Sequence, residues 1–475
     1  MKKMNLFVMS LLATAAFTFN SCSSDDSLSP STGQQTIGDG YFMTVSFPKT
    51  QATRTAQQED KENGTAEEST ITNGTIYIYD GDTRVFSKDL TAADWATNTA
   101  PNTIGTTKPF KVSINSVTVG KEYTVYFLAN SSMNTIPYPL TSNLELAASS
   151  TGGAEYAIAN KFVMFNQNDE SKKAGHSKVI FTEASKDEAN KVTAGDIYLD
   201  RVVARIDAPT VNNPEIKNKE NVTTTKNINV IESVTYDGYT LTNMANKSYL
   251  VQNWTETATP WSLNIPGSMT YYKPNNYYGN EWQAENLADF TNKDVNYVFE
   301  NTTTDESKAT GMYYKFTVTL KDNAGNHKDF EDGTFYRYSH KIYTSLQDIM
   351  DDNEESWPFV DDNGKTTISV DDALKMIKGE VEGVTLADVR QKYHIDVFEA
   401  GAVYYKYTIN DKFYTPTGYY SILRNSVYKL NVNNIWDLGK DVPNGPNPEE
   451  EYNYWMDVTV NVNPWVLNTI DVELK

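Results

Sequence analysis

The chain carries one thiol, and its setting gives that thiol a chemistry. Cys22 follows Ser21 at the end of a stretch that opens with Lys2 and Lys3 and runs apolar from Leu6 to Phe19. A basic start, an apolar run too short and too early for a stable membrane helix, and a small residue before cysteine form a processing box. The chemistry expected there is cleavage before Cys22 and acylation of its thiol and new amine. Phe19 and Asn20 depart from the usual Leu and Ala/Ser pair. A single cysteine allows no intrachain disulfide. The acidic run Ser23-Ser24-Asp25-Asp26 follows it.

A second reactive feature is a backbone bond. Residues Lys49 to Ser69 are polar and partly acidic, with Arg54 as their only arginine and Lys49 as a second basic residue. The stretch reads as an exposed loop of the kind proteases cut. Other chemistry is not supported. His176, His327, His340 and His394 are scattered without metal-ligand spacing, so no metal and no cofactor is expected. Asp351 to Glu355 and Asp361 to Gly364 offer hard oxygens for Ca²⁺, but lack the EF-hand spacing and read as solvated loops. There is no nucleophile elbow, phosphate loop or zinc-protease motif, and nothing pairs two carboxylates as a glycosidase requires. An enzyme is therefore not expected. Tyr271, Tyr272, Tyr277, Tyr278 and Trp282 offer an aromatic platform for sugar or protein; their simpler use is to pack a long loop down.

The elements around these features are β-rich. The 475 residues are 39% hydrophobic and 22% charged, with 31 tyrosines, and exceed one ordinary core. A net charge of −21 leaves nothing to neutralise phosphates, so nucleic acid is excluded as a partner. Residues 23–40 form a flexible tether. In the strand that follows, Tyr41, Met43, Val45 and Phe47 share one face, and Pro48 ends it. Further strands are predicted at Gly74–Tyr79, Phe110–Val117, Tyr123–Leu128, Lys178–Phe181, Ile197–Ile206, Ile228–Tyr236, Tyr313–Leu320, Val403–Ile409 and Val427–Val432. Pro209–Asn218 marks a domain boundary, and Trp261–Phe290 a long loop. Val370–Ile377, with Ser369 as N-cap and Gly379 as stop, predicts a helix, and Leu386–Tyr393 a second. After a linker at Val442–Pro448, Met456, Val458, Val460 and Val462 alternate with polar residues. Pro464-Trp465 is expected to break that strand, and Ile470, Val472 and Leu474 alternate again.

Two terminal segments thus have matching period: one sits before a cuttable loop, the other after a flexible linker. A strand lost by cleavage leaves unpaired backbone groups, and a strand of equal period from another copy can fill them. Such a contact is head-to-tail and does not close, so it makes a filament. Pattern alone leaves open that both are edge strands of one monomer.

Three segments carry a resemblance. Arg424-Asn425-Ser426-Val427-Tyr428, the Val458-x-Val460-x-Val462-x-Pro464-Trp465 run with Leu474, and Arg201-Val202-Val203-Ala204-Arg205 resemble the major (shaft) fimbrial subunits of the type V pili of Bacteroidales, a fimbrillin-like group that includes the minor-fimbria shaft protein. The processing box and Arg54 also sit where that family has them; the middle of the chain matches only in character.

The resemblance implies an all-β fold of two transthyretin-like β-sandwich domains with short helices and loop insertions. The expected parts are a signal peptide (1–21), a propeptide with a removable strand (22–54), an N-terminal domain (55–210), a C-terminal domain (211–441), and a linker with donor strand (442–475). It implies a lipidated outer-membrane precursor, cut between Arg54 and Thr55 by an arginine-specific protease. Tyr41, Met43, Val45 and Phe47 leave with the lipid. The mature chain then forms an extracellular homopolymer that supports adhesion, together with anchor and tip subunits. Its donor strand draws on Met456, Val458, Val460, Val462, Pro464, Trp465, Ile470, Val472 and Leu474. The alternatives are a monomeric surface lipoprotein binding glycan or host protein through the 261–290 loop, or an anchor or tip subunit.

Overall fold

The computed structural model describes residues 39–48, 62–96, 103–131, 145–147, 153–167, 177–195, 197–255, 262–272, 295–321, 331–361, 363–414, 416–443 and 455–466. Cys22, Arg54, Thr55, Ile470, Val472 and Leu474 lie outside them, as do most of the 442–448 linker and much of the 261–290 loop.

Alternating apolar residues build two β-sandwiches. In the first, strand Gly40–Pro48 is central in its sheet. Val192–Ala194 runs parallel on one side, and Phe110–Ser113 and Thr103–Thr106 run antiparallel on the other. The facing sheet runs in the order Leu199–Arg201, Met164–Asn166, Glu122–Ala129, Gly74–Asp80 and Thr83–Leu90, with Ser177–Ile180 also on Glu122–Ala129. Met43, Val45 and Phe47 share one core with Ile76, Val125 and Phe127.

The second sandwich joins residues far apart in sequence. Its larger sheet runs Glu62–Asn63, Trp455–Val466, Ser426–Trp436, Val203–Asp207 and Val295–Phe299. Its facing sheet is Ile231–Thr242, Gly311–Leu320 and Ala402–Thr408. Ile206, Val298, Tyr428 and Leu430 meet Tyr314, Phe316, Val403 and Tyr405 between them. The chain passes from one sandwich to the other at Val202, between strands Leu199–Arg201 and Val203–Asp207. Within the expected 209–218 boundary, Thr210–Val211 and Ile216–Lys217 both pair parallel to Ser426–Trp436.

An insertion carries the helices. Strands Phe335–Tyr338, Lys341–Tyr343 and Asp396–Phe398 pack with helices Leu346–Asp352, Val370–Ile377 and Leu386–Tyr393 around Ile349, Phe359 and Val389. The 370–377 helix starts at Ser369, whose hydroxyl accepts from the Asp372 N–H at 3.1 Å. It stops at Gly379, whose φ of 69° is open to glycine without cost. Two buried ion pairs tie the insertion down: Arg337 with Asp396 at 2.7 Å, and Arg390 with Asp441 at 2.5 Å. Arg337 also donates to the Leu438 carbonyl. The fold is all-β with a few short helices, as the strand pattern and the resemblance imply.

Candidate functional site

The first strand fills a slot with partners on both sides. Tyr41 is 3% exposed, and Met43, Val45 and Phe47 are 0% exposed. The Phe47 ring lies 4.7 Å from Phe127 and 5.4 Å from Trp95, and the Tyr41 ring 5.8 Å from Phe181. Thr107 holds the strand twice, its hydroxyl accepting from the Val45 N–H and its own N–H donating to the Val45 carbonyl, both at 2.9 Å. The Ile197 N–H donates to the Ser46 carbonyl at 3.0 Å. The Thr44 and Thr193 hydroxyls bond at 3.1 Å. Burying the four apolar side chains contributes about 1.5–3 kcal/mol each in gross terms. Cutting the chain beyond Pro48 would therefore not release the strand by itself; something must take its place.

The last strand, Trp455–Val466, lies antiparallel to Ser426–Trp436 from Trp455↔Trp436 to Pro464↔Ser426. It runs through Pro464-Trp465 instead of breaking there. A proline is tolerated because this is an edge strand for most of its length. Its other side pairs, among the described residues, only at Trp465 and Val466, with Glu62 and Asn63. Met456, Val458 and Val460 pack half-buried on the second core, while Asp457, Thr459 and Asn461 face solvent.

At its end the last strand enters a buried node where the three resembling motifs converge. The Trp465 side chain is 0% exposed. Its ring stacks on Tyr297 at 5.9 Å and 8°, meets Phe162 edge-on at 5.8 Å, and lies under the Arg201 guanidinium at 4.0 Å. Arg201 is 0% exposed and donates to the Trp465 carbonyl at 3.2 Å, the Glu68 carbonyl at 2.9 Å, Ser69 Oγ at 3.2 Å and Asn425 Oδ1 at 3.3 Å. Burial pushes its guanidinium down to about 9, against the upward pull of Glu68 and Asp200, so it remains a cation at neutral pH. Asn425 has φ of 52°, a left-handed conformation that asparagine tolerates better than most residues. That turn lets its carbonyl accept from the Trp465 N–H at 3.1 Å while its amide donates to Asp200 at 2.7 Å. Beside it, Arg424 pairs with buried Glu300 at 2.6 Å. The Tyr428 hydroxyl donates to Asp411 and accepts from the Leu423 N–H, both at 2.7 Å.

Residues 62–69, expected to be loop, supply the other half of this node. Thr65 caps helix Ala66–Ser69, and the Glu68 carboxylate accepts from the Thr65 N–H. Glu68 also pairs with Arg205 at 3.0 Å and accepts from the Tyr297 hydroxyl at 2.8 Å. Burial, then the bond to Glu68, pushes the Tyr297 hydroxyl well above its usual range. The spacing Thr65-x-x-Glu68 was the available signal, a capping box in an otherwise aperiodic stretch. A Cβ on Gly64 would lie 2.4 Å from Arg201 Nη2 and 2.8 Å from Ser69 Oγ. Gly64→Val is accordingly expected to lower stability by about 1–3 kcal/mol in chemical denaturation of the full chain; an unchanged midpoint would contradict this packing.

Among the described residues the remaining candidates are not brought into one site. Among the described residues no group of three or more His, Cys, Asp or Glu is placed to hold a metal, and no helix is long and apolar enough to cross a membrane. The Asp361 carboxylate accepts from the Lys365 and Thr366 N–H groups at 2.8 and 3.1 Å, closing its own turn. Tyr271–Tyr272 pairs with Met244–Ala245, while Tyr277, Tyr278 and Trp282 lie outside the described residues.

Comparison with known proteins matches the two ends of this architecture. Residues 42–201 match the family described as major fimbrial subunit protein (FimA). Residues 396–471 match major fimbrial subunit protein type IV, fimbrillin, C-terminal. No curated protein sequence matches the chain. Among solved structures it is similar to a fimbrilin from Porphyromonas gingivalis, with 16% identity, TM-score 0.44, and coverage of 91% of this chain and 99% of that one. It is also similar to a proposed cell adhesion protein from Parabacteroides distasonis, with 16% identity, TM-score 0.43, and coverage of 90% and 98%. A tip fimbrial protein from Porphyromonas gingivalis gives 12% identity, TM-score 0.34, and coverage of 90% and 99%. One of these two matched segments holds the first-strand slot, and the other holds the last strand and Asn425.

Proposed function

We propose that this chain is the shaft subunit of a surface pilus, a structural protein that polymerises by strand exchange. It travels to the outer membrane as a lipoprotein acylated at Cys22. An arginine-specific protease cuts between Arg54 and Thr55. The strand bearing Tyr41, Met43, Val45 and Phe47 leaves with residues 22–54, and the C-terminal strand of a second copy takes its place. Anchor and tip subunits complete the fibre, which supports adhesion. In this reading the domains are 55–210 and 211–441, followed by the donor region 442–475.

The observation that supports this most is the position of the first strand. It is the central piece of a core, with its four apolar side chains at most 3% exposed, yet it precedes every other described element. Arg54 falls between Pro48, where this strand ends, and Glu62, where the next described element begins. A cut there removes one sheet position and leaves the rest of both sandwiches covalently intact. The test is treatment of full-length protein with an arginine-specific protease. We expect a new N-terminus at Thr55 and boiling-sensitive polymer bands on a gel. Arg54→Ala should abolish both; undiminished polymer from that variant would remove the proposal.

A further inference from the structure

Arginine and lysine are divided between the inside and the outside of this fold. The chain has 41 residues of these two kinds, and only seven are arginine. Six of the seven lie among the described residues. None of the six is exposed, whereas no described lysine is buried. We infer that this division closes the folded chain to an arginine-specific protease while leaving it open to a lysine-specific one, so that the maturing enzyme does not degrade the subunit it cuts. The inference takes the identity of that enzyme from the maturation reading above and adds what restricts it.

Each of the six is held twice, by its guanidinium and by its backbone. Arg201 sits in the node with Trp465, on a strand that lies opposite Met164. Arg205 pairs with Glu68 at 3.0 Å and Asp207 at 2.5 Å, between strand neighbours Tyr297 and Val427. Arg337 pairs with Asp396 at 2.7 Å and lies between Ile342 and Asp396 in its sheet. Arg390 lies in helix Leu386–Tyr393 and pairs with Asp441. Arg424 pairs with Glu300 at 2.6 Å and donates to Ser248 Oγ and the Leu250 carbonyl, both at 2.9 Å. Arg84 is the least enclosed. It is half-buried on strand Thr83–Leu90, opposite Tyr79, with its guanidinium 5.9 Å over the Tyr77 ring. Cleavage needs the guanidinium in the enzyme's pocket and an extended, unpaired stretch around the bond. Each of these bonds is therefore cut only from an opened form, whose population sets the rate.

Packing chemistry explains one half of the division. A buried cation that must satisfy several acceptors is better served by the planar fork of arginine than by an ammonium group. It does not explain the other half. At a solvated position neither cation gains much from its neighbours, yet lysine holds every exposed one among the described residues. Lys219 is exposed in the loop that follows strand Ile216–Lys217, and Lys378 is exposed at the end of helix Val370–Ile377, before Gly379. Loops of this kind are where proteases nick folded chains. An enzyme that reads only arginine finds nothing to read in either.

The experiment treats full-length native protein with an arginine-specific or a lysine-specific protease and identifies the fragments by mass. Lys219→Arg and Lys378→Arg are compared with the unchanged chain; both keep the charge and lie on the surface, so the fold is not at stake. The unchanged protein is expected to resist the arginine-specific enzyme at all six described arginines and to be cut by the lysine-specific one. Each variant should gain a single arginine cut, after residue 219 or 378, about a hundredfold faster than at any of the six. As denaturant is raised, Arg84 should be the first of the six to be cut. Native cleavage at any of the six as fast as at the introduced arginines would overturn the inference. So would introduced arginines that stay uncut, because the fold would then shield every basic residue alike. If the introduced sites are cut, the six are spared and Arg54 is also spared, the division of the cations stands and the maturation reading fails.

Discussion

Phe47→Ala will destabilise the uncut precursor by about 3–5 kcal/mol and leave the assembled polymer as stable as the unchanged protein. The first part follows from packing. Phe47 is 0% exposed, with its ring against Phe127 and Trp95, so truncation leaves a cavity in a core that spans both sheets. The second part follows from the proposed exchange, because the altered residue is no longer present once the strand has gone. Denaturant midpoints of the uncut protein and the temperature at which polymer bands collapse give the two readings. An equal loss in both would mean that Phe47 remains in place after assembly, and the exchange would be wrong. The contrast is informative because an ordinary core substitution lowers both values together.

The second large effect is expected at Arg201. Arg201→Ala removes the donor that serves the carbonyls of Glu68 and Trp465, Ser69 Oγ and Asn425 Oδ1, and takes the cation off the Trp465 ring. Each buried acceptor left without a donor costs about 1–3 kcal/mol, and these losses are not additive. A total of about 3–5 kcal/mol is expected, comparable to breaking a buried ion pair. Arg201→Lys should recover only part of it, since an ammonium group cannot copy the planar fork that reaches four acceptors. Hydrogen exchange gives the local readout. The Trp465 N–H, bonded to the Asn425 carbonyl, should lose protection more than amides of the insertion around Ile349, which has its own core. Equal loss in both regions would mean that Arg201 supports the fold as a whole and does not specifically hold the end of the last strand.

In the proposed exchange these two sites have different tasks. The first-strand slot is a socket whose occupant is bound by burial and by bonds on both edges. The Arg201–Trp465 node fixes the end of the last strand. Segment 62–69 reaches the same node, through Glu62 beside Trp465 and through Glu68 against Arg205 and Tyr297. A cut at Arg54 would thus leave a new N-terminus only a short stretch from the anchor of the last strand.

Where the code is local, the residues alone were enough. The alternation at Tyr41, Met43, Val45 and Phe47 determined a strand with one buried face, because side chains of an extended chain point to opposite sides at every step. The helix at Val370–Ile377 followed from Ser369 and Gly379, since an N-cap hydroxyl and a left-handed stop act within one turn. The high β content came from composition in the same way. Only the tertiary structure decided the rest. It turned Glu62–Asn63 and Ile216–Lys217 from apparent loop into sheet edges, because two-residue strands have no period to detect. It carried the last strand through Pro464, because an edge position does not need the missing N–H. And it brought Arg201 to Asn425 and Trp465, 224 and 264 positions away, because a buried cation must find its acceptors wherever the packed sheets place them, and no spacing in the sequence encodes that distance.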